Sequence, residues 1–200
     1  VAADAAIDIR DLTGAALTAA LDSLAALRIA VFRAFPYLYD GDPAYERDYL
    51  DAYAKSDGAL VVGAFDGERL VGAATAAPMA DHAEEFSAPF TERGLDLTDI
   101  YYFGESVLLP EYRGRGIGHA FFDRREAKAR ELGFARACFC AVLRAEDHPA
   151  RSAGYSPLDP FWRARGYAPV DGLVAQFGWK DVGDPTESQH PMQFWVKGLA

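Results

Sequence analysis

The chain has 200 residues, 50% hydrophobic and 13% aromatic, which is enough for one well-buried core and the size of one domain. Its formal net charge of -10, from 30 acidic and 20 basic residues, argues against general binding to nucleic acid or anionic membrane. No apolar run reads as long enough for a membrane span, and the N-terminal VAADAAIDIR lacks the basic-then-apolar pattern of a signal peptide, so a cytoplasmic protein is expected.

The first predicted element is a strand over IDIRDL, residues 7–12. A helix follows over residues 14–35, with Leu17, Leu21, Leu24, Ala25, Arg28, Val31 and Phe35 near one stripe and Pro36 as its stop. Residues 42–58 read as a second helix, with Pro43 in its first turn and Gly58 past its end. ALVVGAF and RLVGAATAA flank Asp66-Gly67-Glu68, a hairpin signal. A polar stretch, 78–98, separates this hairpin from the strand IYYFGESVLL, residues 100–109. Next come a glycine-rich turn, a helix over about 116–132 and the strand ARACFCAVLR. Cys138 and Cys140 lie two apart on that strand and so share a face; a disulfide between them would be strained, and both read as thiols. Residues 145–160 read as a loop, DPFWRARGY as a short helix, and LVAQFGWKDV and MQFWVKGL as two last strands. This order predicts an α/β layer around a central sheet.

The densest stretch is PEYRGRGIG, residues 110–118, at the junction of strand and helix. Glycines there let a ligand approach the backbone, and the first turn of the helix presents N–H groups and the positive end of its dipole. Residues 113–130 also hold six basic groups (Arg113, Arg115, Arg124, Arg125, Lys128 and Arg130) against Asp123 and Glu126, and six minus two is +4. This pattern suggests a seat for phosphates; the other reading is an ordinary turn before a solvated helix face. The P-loop pattern is absent, and a dinucleotide fingerprint would need glycine where the chain has His119. The four histidines are scattered and the two thiols have no partners, so no metal site is expected.

Arg113-Gly114-Arg115-Gly116-Ile117-Gly118, preceded by SVLLPEY, resembles the central signature of the GNAT superfamily of acyl-CoA-dependent N-acyltransferases. ARELGF, ACFCAVL, FWRARGY and MQFWVKGL follow in that family's order, so the resemblance covers most of the chain. It implies a GNAT fold in a single domain: a mixed, mostly antiparallel sheet flanked by helices and splayed at the CoA-binding strand. It implies that main-chain groups of Val107 and Leu109 pair with the pantetheine arm of acetyl-CoA. An N–H near Leu108 would polarise the thioester, and the N–H groups of residues 113–118 would hold the pyrophosphate.

Two departures from the family pattern stand out. Where many members carry a tyrosine that protonates the departing thiolate, this chain has Trp162, an N–H donor but no acid; it reads as a CoA-side packing residue. The loop before it, RAEDHPARSAGYSPLDP, is long and offers Tyr155 and His148 as substitute acids. Glu105 shares a face with Val107 and reads either as the group that takes the acceptor's proton or as a carboxylate paired with an arginine. Ser106 faces the other way. Tyr37, Tyr39 and Asp40 lie in the loop that in the family walls the acceptor site; the other reading is plain turn chemistry. The expected activity is transfer of acetyl from acetyl-CoA to a primary amine of a small molecule or peptide, in a ternary complex, with room for a homodimer. The rival is an acyl-CoA-binding sensor or interaction module that has lost turnover.

Overall fold

The computed structural model describes residues 6–82 and 84–199. The reading of the N-terminus as free of a signal peptide rests in part on residues 1–5, which lie outside the described residues. Among the described residues, seven strands form one sheet in the order β1-β2-β3-β4-β5-β7-β6. They are β1 (Asp8–Leu12), β2 (Leu60–Asp66), β3 (Arg69–Pro78), β4 (Ile100–Leu108), β5 (Arg136–Val142), β6 (Ala168–Trp179) and β7 (Ser188–Gly198). The helices are α1 (Gly14–Phe32), α2 (Pro43–Lys55), α3 (Glu84–Thr91), α4 (Ile117–Glu131) and α5 (Asp159–Ala164). Neighbouring strands run antiparallel except β4 and β5, which are parallel.

Local chemistry sets several boundaries. Asp42 caps α2 by accepting from the N–H groups of Ala44 and Tyr45 at 2.9 Å, and Pro43 fills the first turn. The hairpin forms where Asp66-Gly67-Glu68 predicts it, with Asp66 itself paired to Arg69 so that Gly67 and Glu68 alone make the turn. α1 ends at Phe32 instead of Phe35, because the residue before a proline is disfavoured in helical geometry. The stretch 78–98, read only as polar, contains α3. This helix is short and carries Pro89, so periodicity does not register it. Phe86 anchors it against Tyr102 and Phe177, with ring centroids 5.2 and 4.5 Å apart, and Phe90 against Phe194 at 4.8 Å.

α1, α2 and α3 cover one face of the sheet; α4 and α5 cover the other. One expectation needs correction. α1 is long and apolar enough, by length and composition, to cross a membrane. In this fold the helix buries Leu17, Leu24, Ala25 and Leu27 against the sheet, and Arg28 with them. Cys138 and Cys140 are free thiols, buried on one face of β5 as their spacing predicts; burial pushes the Cys140 thiol up to about 12.

The sheet opens at one place. β4 and β5 pair only where Ile100–Tyr102 meets Arg136–Cys138. Beyond that point β4 stays with β3 as far as Leu108, and β5 stays with β7 as far as Val142. A register shift in the β3–β4 ladder, between Ala74 and Ala76, lies where this divergence begins. The extra residue swaps the alternation of β4. Tyr102 and Glu105, three apart, therefore both face the α1–α3 side.

Candidate active site

The glycine turn is built by backbone rotation. Gly114 and Gly116 take φ of +75° and +80°, and a Cβ on either would meet nothing within 4 Å. Glycine is thus required by the left-handed backbone and not by crowding within the chain, and the space above the turn is open. Gly116 is the N-cap of α4 and no side chain caps that end. The N–H of Ala120 is taken by Gly116 O at 3.2 Å, which leaves the first-turn N–H groups of Ile117, Gly118 and His119 without an intrahelical acceptor. A hollow of about 390 Å³, lined by Ile7, Ile9, Arg115, Gly116, Ile117 and Ala120, adjoins them. These residues fit a pyrophosphate, which donors and a helix dipole hold without needing side-chain charge. The N–H of Arg113 is different: it closes the preceding turn on Pro110 O at 3.2 Å.

The local basic island dissolves in three dimensions. Arg124 pairs with Asp11 at 2.8 Å, Lys128 with Glu131 at 3.0 Å, and Arg130 donates to Leu199 O at 3.0 Å. Arg125 is buried and turns inward under β4. It donates to the carbonyls of Glu105 (3.0 Å) and Thr75 (3.3 Å) and to Ser106 Oγ (2.6 Å), and its guanidinium lies over Phe103 and Phe122. Burial lowers its pKa to about 10. Of the six cations, Arg113 and Arg115 are the two on the turn itself.

The expected role of Leu109 requires a correction, and with it that of Val107. The N–H of Leu109 donates to Val71 O at 3.0 Å and its carbonyl accepts from Tyr112 N–H at 3.0 Å, so both main-chain groups are engaged within the chain. Hydrogen-bonding direction alternates along a strand, so Val107, two residues earlier, also turns its main chain to β3. Its carbonyl lies 3.2 Å from where a Cβ on Gly72 would stand. The main-chain groups of Leu108 therefore face the opening between β4 and β5.

On the α1–α3 side of that opening sits a buried cluster, and it holds the arginine partner that the second reading of Glu105 expected. Glu105 Oε1 is 2.6 Å from Arg28 Nη1, and Glu105 Oε2 accepts from the Tyr49 hydroxyl at 3.1 Å. The other side of Arg28 meets Glu46, through Arg28 Nε and Glu46 Oε2. Glu46 is fully buried, while Arg28 and Glu105 are each 8% exposed. The Arg28 guanidinium also lies 4.3 Å from the centroid of the Tyr49 ring. Tyr49 and Tyr53 share a hydrogen bond between hydroxyls at 3.0 Å. These hydroxyls and Thr75 Oγ1 converge on Gly104, where a Cβ would overlap the Tyr53 hydroxyl and stand 2.5 Å from Thr75 Oγ1. His82 packs edge-on to Tyr53 and Tyr102, and burial holds it neutral by lowering its pKa to about 4. Two signals existed in the sequence. Arg28 fell on the apolar stripe of α1, and Glu46, Tyr49, Leu50 and Tyr53 follow one stripe of α2.

The loop after α1 carries Tyr37, Tyr39 and Asp40. It is tied to the β6–β7 hairpin by a bridge between Tyr39 and Asp181, with Asp40 N–H on Lys180 O at 2.9 Å and Val182 N–H on Leu38 O at 2.6 Å. Asp40 already pairs with Lys180 at 2.7 Å and Arg33 at 3.2 Å, and Lys180 above all lowers its pKa. Its charge is thus not offered to a ligand cation, contrary to one expectation. Tyr37 packs between Phe32 and Trp179. Arg144 closes the corner by donating to the carbonyls of Pro36 and Tyr37 and to Asp181, each at 2.8 Å.

The loop between β5 and α5 reaches the same corner. Tyr155 and His148 both lie on Phe35, with ring centroids 4.7 and 5.7 Å away. His148 Nδ1 accepts from Ala150 N–H at 3.1 Å, which engages that nitrogen. Burial raises the pKa of Tyr155. Trp162 packs against Phe139 and Trp195 at 5.0 and 5.1 Å, in the core beneath α4 and α5.

An acetyltransferase (GNAT) family model matches residues 24–153. The chain belongs to the GNAT family of acetyltransferases. Solved structures agree on the fold. The ribosomal-protein-alanine N-acetyltransferase from Brucella melitensis aligns with a TM-score of 0.62 at 16% identity, over 96% of this chain and 99% of that one. YncA from Salmonella typhimurium, solved with its cofactor acetyl-CoA, aligns with a TM-score of 0.62 at 12% identity, over 98% and 95%. The PaiA N-acetyltransferase from Thermoplasma acidophilum, in complex with coenzyme A, gives 0.53 at 15% identity, over 96% and 99%. No curated relative matches in sequence.

Proposed function

We propose that this chain is a single-domain N-acetyltransferase that transfers acetyl from acetyl-CoA to a primary amine by direct attack while both substrates are bound. The reading is carried by one juxtaposition: the sheet opens between β4 and β5, with the uncapped start of α4 on one side and buried Glu105 on the other. When bound, acetyl-CoA supplies the acetyl group as an activated thioester. Gly114 to Gly118 would hold its pyrophosphate, and the N–H of Leu108 would donate to the carbonyl oxygen of the group being transferred.

An alkyl amine reaches the site as an ammonium, because its pKa lies near that of lysine, about 10.4. Its nitrogen has no lone pair until one proton leaves. Glu105 takes that proton: an N–H bond breaks and an O–H bond forms on the carboxylate. The second nitrogen proton goes to solvent as the C–N bond forms and the C–S bond breaks, which leaves the neutral amide. Tyr155 and His148 stay the candidates on this chain for protonating the departing sulfur. A thiol pKa of about 8.5 asks little of an acid, so solvent can substitute. Trp162 serves packing.

The test is release of free CoA from acetyl-CoA across a panel of small-molecule and peptide amines, with mass spectrometry of the acceptor. Acetylated product with at least one amine is expected. Tight CoA binding with no turnover on any amine would favour the binding-module reading.

A further inference from the structure

Glu105 is a poor proton acceptor if its only neighbour is a guanidinium, since an opposite charge at contact stabilises the carboxylate. The surroundings of Glu105 are arranged to offset this. Arg28 is shared: Glu46 holds its other side from within the same buried cluster, so its single positive charge is divided between two carboxylates. Tyr49 fixes the second oxygen through a single hydroxyl, and its ring supports Arg28 from below.

We propose that Arg28, Glu46 and Tyr49 are positioning residues that orient Glu105 and set how readily it takes the acceptor's proton. The proposal rests on the reading of Glu105 as the proton acceptor. Arg28 and Tyr49 each occupy one carboxylate oxygen, which leaves the remaining lone pairs for the ammonium. Glu46 draws part of the Arg28 charge away from Glu105. The charged and titratable groups acting on Glu105 are Arg28 of α1, Glu46, Tyr49 and Tyr53 of α2, His82 ahead of α3 and Arg125 of α4. His82 is held neutral by burial, whereas Arg125 is a second buried cation that favours the Glu105 carboxylate; it reaches Glu105 through the carbonyl and stays in place when Glu46 or Tyr49 is substituted. Tyr53 reaches Glu105 through the Tyr49 hydroxyl. β3 contributes only the uncharged Thr75, whose Oγ1 accepts from Glu105 N–H at 3.4 Å.

The signs of two near-isosteric substitutions differ. Glu46→Gln removes the competing carboxylate and leaves the Arg28 charge to Glu105 alone. The acidic limb of the pH–rate profile should move to lower pH by about one unit, and plateau kcat should fall as the base weakens. Tyr49→Phe keeps the ring under Arg28 but removes a donor to the carboxylate. The limb should then move to higher pH by up to about one unit. CoA affinity should hold in both. The measurement is kcat against pH for these variants and Glu105→Gln, each with its melting temperature and CoA affinity by calorimetry. Opposite shifts in folded variants support the proposal. Lower kcat with an unmoved limb, or shifts in one direction, would mean these residues only support the fold and overturns it. If Glu105→Gln alone erases the limb, the proton-acceptor reading survives that failure; if Glu105→Gln leaves the limb in place, both readings fall.

Discussion

The turn at residues 113–118 and the cluster around Glu105 sit on opposite sides of one opening and are built in opposite ways. The turn is local: six consecutive residues, two of them held at positive φ, with open space above them. The cluster is assembled: Arg28 from α1, Glu46 and Tyr49 from α2, and Glu105 from β4, all buried or nearly so. A ligand that needs donors and a dipole is served by short-range backbone geometry. A carboxylate whose basicity must be set inside the protein needs charges that only packing can bring together. The two regions touch through Arg125, which rises from α4 and grips the carbonyl of Glu105 and the hydroxyl of Ser106.

If the division of labour is right, damage on one side should leave the other side's readout alone. The largest effect is expected from Glu105→Gln. kcat should fall by about 10² to 10⁴, the range of general acid–base effects, while CoA affinity measured by calorimetry stays within about twofold. A parallel loss of CoA affinity would erase the distinction. Gly116→Asp is the mirror experiment. It forces a side chain into φ +80° and places negative charge where phosphate would sit, so CoA affinity should drop by about 100-fold or more. An unchanged affinity would move the phosphate seat elsewhere.

Gly104→Ala sharpens the comparison from inside β4. Its methyl would displace the Tyr53 and Thr75 hydroxyls next to Glu105, so kcat should fall about tenfold and stability by about 1–3 kcal/mol, without loss of CoA binding. Tyr155→Phe keeps the ring on Phe35 and removes only the hydroxyl, and kcat should fall by no more than about tenfold. Full retention would exclude this tyrosine as the acid. The smallest effect is on stability against pH. His82 is neutral in the fold and charges only near pH 4, whereas the unfolded chain takes up that proton near its ordinary value of about 6.5. Stability should therefore be full above that value and decline as pH falls from about 6.5 toward 4. His82→Phe, followed by melting temperature against pH, should flatten that decline.

How much was legible follows from the range of the interactions. The hairpin at Asp66-Gly67-Glu68, the start of α2 at Pro43, the shared face of Cys138 and Cys140 and the turn before α4 are set by residues within a few positions of each other, and the sequence alone determined them. It also placed Arg28 on the buried stripe of α1 and a lone carboxylate in β4, without saying that the two would meet. Tertiary structure decided the rest. The β3–β4 register shift turned Tyr102 and Glu105 to one face, packing drew Arg125 off the basic surface, and ladder direction gave the opening to Leu108 instead of Val107 and Leu109. Asp40 was drawn into ion pairs with Lys180 and Arg33, far along the chain and near it. Periodicity reports which face a residue takes within its own element; which charge it meets there depends on how elements cross, and that is fixed only when the core closes.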